Sequence, residues 1–155
     1  MKILTIIIAS LILLAIAAFS VLGFLSQSGQ AGGLVEGKLA KCPDTPNCIC
    51  SEYPPDADHY IEPLVYSEQN AAAALPRLNT IIRQMGGSFQ GGKGDYLVAT
   101  FTSSIFRFVD DLEIRIDTAQ KTIHLRSASR VGHGDRGVNR KRIEQLKKLF
   151  YLQTG

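Results

Sequence analysis

Apolar residues are distributed along this chain in three different ways. Residues 3–25 carry no charge at all and are almost entirely apolar or small. As a helix they measure roughly 35 Å, enough to cross a hydrocarbon core of about 30 Å. Further on the pattern becomes periodic. Leu75, Leu78, Ile82 and Met85 share one helical face, which predicts an amphipathic helix with Ser67 as its N-cap and Gly86-Gly87 as its stop. Pro76 must either kink that helix or mark where it begins. Ile143, Leu146, Leu149 and Phe150 make a second stripe near the C-terminus, with lysines and arginines opposite it and Asp135 as the expected N-cap.

Between the helices the period shortens to two. Residues 59–66 predict a short strand, and Pro63 suggests an edge. Residues 96–102 predict another strand after a glycine-rich turn. In 108–117, Leu112, Ile114 and Ile116 alternate with Glu113, Arg115 and Asp117, the signature of a strand with one buried face. After a turn at 118–121 the alternation resumes, with Ile123 and Leu125 expected inward and His124 and Arg126 outward. The fold class is α+β: a two-layer sandwich of an antiparallel sheet with two main helices, preceded by one transmembrane helix. The expected division is 1–25 membrane anchor, 26–41 flexible linker and 42–152 folded domain. Residues 26–41 are polar, glycine-rich and aperiodic, and a flexible coil of that length reaches on the order of 20 Å.

Lys2 and the α-amino group precede the apolar run, and no charge follows it until Glu36. The positive-inside rule therefore places the N-terminus in the cytoplasm and the domain outside. The run is longer than a typical signal-peptide core, and the best cleavage motif, Gly29-Gln-Ala31, lies beyond its end. An uncleaved anchor is preferred, with secretion after cleavage as the alternative. Cys42-Pro-Asp-Thr-Pro-Asn-Cys48-Ile-Cys50 opens the domain, and its stiff turn can bring Cys42 and Cys48 together. In an oxidising compartment such a small loop contributes roughly 2 kcal/mol in the chain-entropy picture. Cys50 can replace Cys48 as partner, stay free or join another chain. The cysteine spacing matches no common zinc module, so neither metal nor cofactor is expected, although His59 stands nearby.

Charge is unevenly placed. Residues 36–117 hold 12 acidic and 7 basic side chains, whereas 121–148 hold 9 basic and 2 acidic. The basic excess gathers in Arg126-Ser-Ala-Ser-Arg-Val-Gly-His-Gly-Asp-Arg-Gly-Val-Asn-Arg140, which must turn from strand into helix. Gly132, Gly134 and Gly137 spell a dinucleotide-type glycine motif, but too little chain follows for a βαβ unit. No nucleic-acid partner is expected. Arg126, Ser127, Ser129, Arg130, His133, Asn139 and Arg140 remain as a candidate site for an anionic ligand. The competing reading pairs these arginines internally. Asp110, Asp111 and Glu113 supply the carboxylates, and Arg107 lies in the same stretch. A hydrolase-like site using His133, or a serine with an aspartate, is a further alternative, and a purely structural or assembly role in the cell envelope is another.

Cys42-Pro-Asp-Thr-Pro-Asn-Cys48, His59-Tyr-Ile-Glu-Pro-Leu64, Phe106-Arg-Phe-Val-Asp-Asp-Leu-Glu-Ile-Arg115 and Arg126-Ser-Ala-Ser-Arg-Val-Gly132 with Gly137-Val-Asn-Arg140 resemble a bacterial and plastid family, domain of unknown function 1499. The resemblance spans residues 42–150. It implies a small extracytoplasmic or membrane-attached domain without an established activity, and so no catalytic residues to carry over. The expected location is the bacterial inner membrane, single-pass, with the domain in the periplasm. Expected partners are that membrane through residues 3–25 and an anionic ligand or envelope protein. The family commonly has serine at the position of Cys50, which implies a Cys42–Cys48 disulfide with Cys50 as the extra thiol. Its members do not usually show the full glycine motif, which further weakens a nucleotide role.

Overall fold

The strongest alternation in the sequence, that of residues 109–129, forms the centre of the sheet. The computed structural model describes residues 1–67 and 71–152. Helix α1 (Lys2–Gln27) leads into a small hairpin, β1 (Leu34–Val35) and β2 (Lys38–Leu39). Then come β3 (Cys48–Cys50), β4 (Leu64–Val65), α2 (Ala71–Gln84), β5 (Ser88–Lys93), β6 (Tyr96–Thr102), β7 (Val109–Asp117), β8 (Thr122–Ser129) and α3 (Val138–Leu152). The main sheet runs β3-β8-β7-β6-β5, with β4 also paired to β8, and every pairing is antiparallel. The chain is therefore α+β, with an apolar N-terminal helix of 26 residues that is long enough to cross a membrane. Three of the strands differ from their expected form. The strand expected over 59–66 contracts to Leu64–Val65, the glycine-rich turn contains β5, and the cysteine segment contributes β3. Pro76 lies inside α2, and the expected Ser67 cap depends on residues outside the described set.

One sheet face packs against α2 and α3. Leu64, Leu78, Ile81, Ile82, Leu112, Ile114, Ile123, Leu125, Ile143, Leu146 and Phe150 are all at most 1 % exposed there. Removing each such side chain from water stabilises by roughly 1.5–3 kcal/mol, so this layer is the main source of stability. Leu75 departs from the expected stripe: it is exposed, and Ile81 is buried instead.

The opposite face is not open to solvent, as simple alternation predicted. Glu113 and Arg126, expected outward, are 0 % and 7 % exposed. Residues 26–41 are not a flexible coil but part of what covers them. Glu36 and Gly37 both take positive φ (50° and 78°), forming a two-residue turn whose twist suits a hairpin. This places Leu39 in a second apolar cluster with Cys42, Cys48, Cys50 and Ala128. Carboxylates tie the segment's backbone down: Gly33 N–H donates to Glu113 Oε1 at 2.7 Å, and Leu39 N–H to Glu52 Oε1 at 3.3 Å. The Cys42–Cys48 disulfide closes the adjoining loop, with Cα atoms 5.6 Å apart, and Cys50 is a buried free thiol.

Candidate functional site: the turn of residues 126–140

β8 delivers the first half of this turn, and the alternation of its side chains puts Arg126 and Arg130 on the covered face and Ser127 and Ser129 on the helix face. Arg126 lies on the covered face, opposite Glu113 in the β7–β8 register. Its Nη1 donates to Glu113 Oε2 at 2.5 Å. Glu113 Oε1 also accepts the Tyr96 hydroxyl at 2.7 Å, so this buried carboxylate serves three donors, from β6, β8 and the segment before β1. Burial and the Glu113 hydrogen bond hold the Tyr96 phenol above its ordinary pKa. Arg130, just past the strand, grips Asp111 with two parallel bonds, Nε to Oδ2 at 2.9 Å and Nη2 to Oδ1 at 2.8 Å. Its Nη1 reaches the carbonyls of Ser26 and Gln27, both at 3.3 Å. It thus supplies positive charge and a donor at the carbonyl-rich end of α1. The Asp111 bond raises the pKa of Arg130.

Ser127 and Ser129 point to the helix face and are used there. Ser127 Oγ donates to Asn139 Oδ1 at 2.6 Å and accepts Arg142 Nη1 at 2.9 Å. Asn139 Nδ2 donates to the Asn47 carbonyl at 2.9 Å and to Ser129 Oγ at 3.0 Å. Arg142 completes the network, donating from Nη2 to Asp110 Oδ2 at 2.7 Å, bonding Asn139 Oδ1 and lying over the Phe101 ring at 4.5 Å. Asp135 caps α3 by accepting the N–H groups of Gly137 (2.8 Å) and Asn139 (2.7 Å). Gly137 has φ 76°, a conformation that the link into the helix requires.

The candidate residues therefore separate. Arg126 and Arg130 face carboxylates of the same domain, at Glu113 and Asp111. Arg140 does not: its guanidinium donates to the carbonyls of Tyr60 (3.2 Å) and Asp58 (3.1 Å). The partner of Asp110 is instead Arg142, which sequence reading assigned to the exposed basic side of the last helix. The i, i+3 step from Asn139 to Arg142 on the helix was the signal that could have found it. Arg107 is exposed, with φ 61°, and pairs with no carboxylate among the described residues. His133 is exposed and joins no hydrogen bond among the described residues. For the hydrolase alternative, Ser103 and Asp110 line one cleft, but among the described residues no histidine is hydrogen-bonded to either. Ser103 Oγ accepts the Phe108 N–H, and the His59 ring lies between Asp56 Oδ1 (2.8 Å) and the Thr45 carbonyl (3.2 Å). Its hydrogen bond holds the Asp56 carboxyl below the usual range. Among the described residues no cluster of His, Cys, Asp and Glu is arranged to hold a metal ion.

Arg140 does line a cleft of about 390 Å³, together with Asp44, Asp58, His59 and Asp135 at the start of α3. Its walls carry more carboxylate than guanidinium. Burial pushes the Cys50 thiol, on the covered face, up to about 11, which makes it a poor nucleophile.

These features define a class: a small α+β domain whose polar motif residues are built into its own sheet and helix, carried on an apolar helix. The model of the family described as a protein of unknown function (DUF1499) matches residues 38–150, and the chain belongs to that family. No curated protein and no solved structure matches it significantly. The candidate membrane-spanning helix and the disulfide fit a membrane-anchored, extracytoplasmic domain.

Proposed function

We propose that this protein is a non-catalytic accessory domain of the bacterial cell envelope. It is anchored in the inner membrane by residues 3–25 as an uncleaved single span, with the N-terminus in the cytoplasm and the domain in the periplasm. One observation carries this reading: the apolar helix ends inside the domain's own hydrogen-bond network. Ser26 is fully buried and its Oγ accepts the Val109 N–H at 3.1 Å, while Arg130 holds the Ser26 and Gln27 carbonyls. A leader that is cut away has no use for such joints, and cleavage after Ala31 would strip them from the sheet. The disulfide and the single basic residue before the span support the orientation.

The test is the state of the mature protein in cells. It should resist alkaline carbonate extraction, retain its N-terminal residues and yield to protease added from the periplasmic side. A soluble periplasmic product beginning near Gly32, or protection of the domain in spheroplasts, overturns the reading.

Recognition of an anionic ligand is a second reading, favoured only by Arg140 in its cleft, since Arg126 and Arg130 already neutralise carboxylates. Thermal-shift measurements with inorganic phosphate, nucleotides and lipid headgroups test it. A stabilisation lost in Arg140→Ala supports it, and no response to any of them removes it.

A further inference from the structure

The loop between β6 and β7 touches α1 inside its apolar stretch. The Phe19 ring lies 5.3 Å from the Phe106 ring and 6.4 Å from that of Phe108. Four residues on, the backbones themselves meet: a Cβ placed on Gly23 would fall 1.8 Å from the Phe106 carbonyl oxygen, so only glycine permits this approach. Ser26 then bonds Val109, where β7 begins. Three contacts along two turns of helix fix the loop beside α1 rather than beyond its end.

That position has a depth. Phe19 precedes Leu25, the last residue of the apolar run, by six residues, or about 9 Å along the helix axis. If residues 3–25 cross the bilayer, a loop against Phe19 reaches into the boundary between headgroups and acyl chains. Its composition suits that layer. Ile105 at the tip is 80 % exposed, Phe106 and Phe108 flank the exposed Arg107, and a long basic side chain there can reach the phosphates. The base of the loop satisfies its own polar groups, with Ser103 N–H on the Phe108 carbonyl at 2.8 Å and Phe108 N–H on Ser103 Oγ at 2.9 Å. Beside it, a cleft of about 320 Å³ runs between Phe19 and Leu22 of α1 and Phe108, Val131 and Val138 of the domain.

We propose that residues 103–108 form a membrane-seated loop, with Ile105, Phe106 and Phe108 inserted among the lipids of the leaflet from which α1 emerges. This rests on the anchoring reading above. It makes the domain a body seated on the bilayer, not one held off on a tether.

The chain contains no tryptophan, so single tryptophans report depth without background. The full-length chain carrying Ile105→Trp is reconstituted in two sets of phosphatidylcholine vesicles, one with acyl chains brominated near the headgroup and one with bromines deep in the chains. Leu11→Trp serves as the mid-span reference and Val65→Trp, which is 58 % exposed on the domain, as the aqueous one. The Ile105→Trp emission should be blue-shifted and quenched at least twofold more than that of Val65→Trp. Adding Gly23→Leu, which forces the loop off α1, should reduce that quenching while Leu11→Trp stays quenched by deep bromines. Quenching at Leu11→Trp with none at Ile105→Trp overturns the seated loop and leaves the anchor standing. No quenching at either position overturns the anchor and the loop with it.

Discussion

Arg130 holds both carboxylate oxygens of Asp111, at 2.8 and 2.9 Å, and with its remaining nitrogen reaches the last carbonyls of the N-terminal helix. One side chain thereby joins the centre of the sheet to the end of the candidate membrane span. Asp111 is 3 % exposed, so removing its partner strands a charge away from water. Arg130→Ala is expected to cost roughly 3–5 kcal/mol. Thermal unfolding of the full chain in detergent measures the loss. Arg130→Lys should recover only part of it, because an ammonium cannot make the two parallel bonds.

Glu113 presents a different case, since it accepts from Gly33, Tyr96 and Arg126 at once. Glu113→Ala should destabilise by a similar roughly 3–5 kcal/mol and free the hairpin of residues 34–39. Glu113→Gln keeps an acceptor for the Gly33 and Tyr96 donors while losing the charge, and should cost less. Urea unfolding with hydrogen exchange at the Gly33 amide distinguishes the two: equal losses would mean that the acceptor for Gly33 and Tyr96 adds nothing to the charge facing Arg126.

Cys50 is 2 % exposed and its thiol pKa is pushed up to about 11. At pH 8 it should resist iodoacetamide in the native protein and become alkylated only after unfolding. Non-reducing peptide mapping should recover Cys42 linked to Cys48. Rapid native labelling of Cys50, or a link that includes it, would contradict the structure.

His124 governs a pH response. Burial lowers its pKa in the folded state from the ordinary 6.5, partly offset by Glu52. The unfolded chain therefore takes up the proton first. The stability tied to the neutral ring is fully present above pH 6.5 and declines as pH falls through the lower folded value. Melting temperature should drop between pH 7 and pH 5, and His124→Gln should flatten that slope. An unchanged slope in the variant assigns the response to other groups.

Much of this architecture is written in local pattern. The 3.6-residue stripes of α2 and α3 and the period-two alternation of β6, β7 and β8 survive in the fold, because one face of each element must be dry. β5 left no such trace: Ser88-Phe-Gln-Gly-Gly-Lys93 has one large apolar residue and is a strand because β6 pairs with it along its length. The hairpin at 34–39 did leave a signal, a glycine in a two-residue turn between Leu-Val and Lys-Leu, hidden within a polar glycine-rich stretch.

The sequence by itself determined the apolar span, the class of the fold, the dry layer between sheet and helices and the residues of the arginine turn. Periodicity states that a residue lies on the other face of a strand, but not what covers that face. Only the tertiary structure decided that Glu113 and Arg126 are buried, since the cover comes from residues 13 or more positions away in the chain. It alone chose among carboxylates spaced within hydrogen-bond reach on neighbouring positions, giving Glu113 to Arg126, Asp111 to Arg130 and Asp110 to Arg142. And it alone set Arg126 and Arg130 facing inward and brought the phenylalanines of the β6–β7 loop against the span, because such pairings depend on distances in space that composition and spacing do not encode.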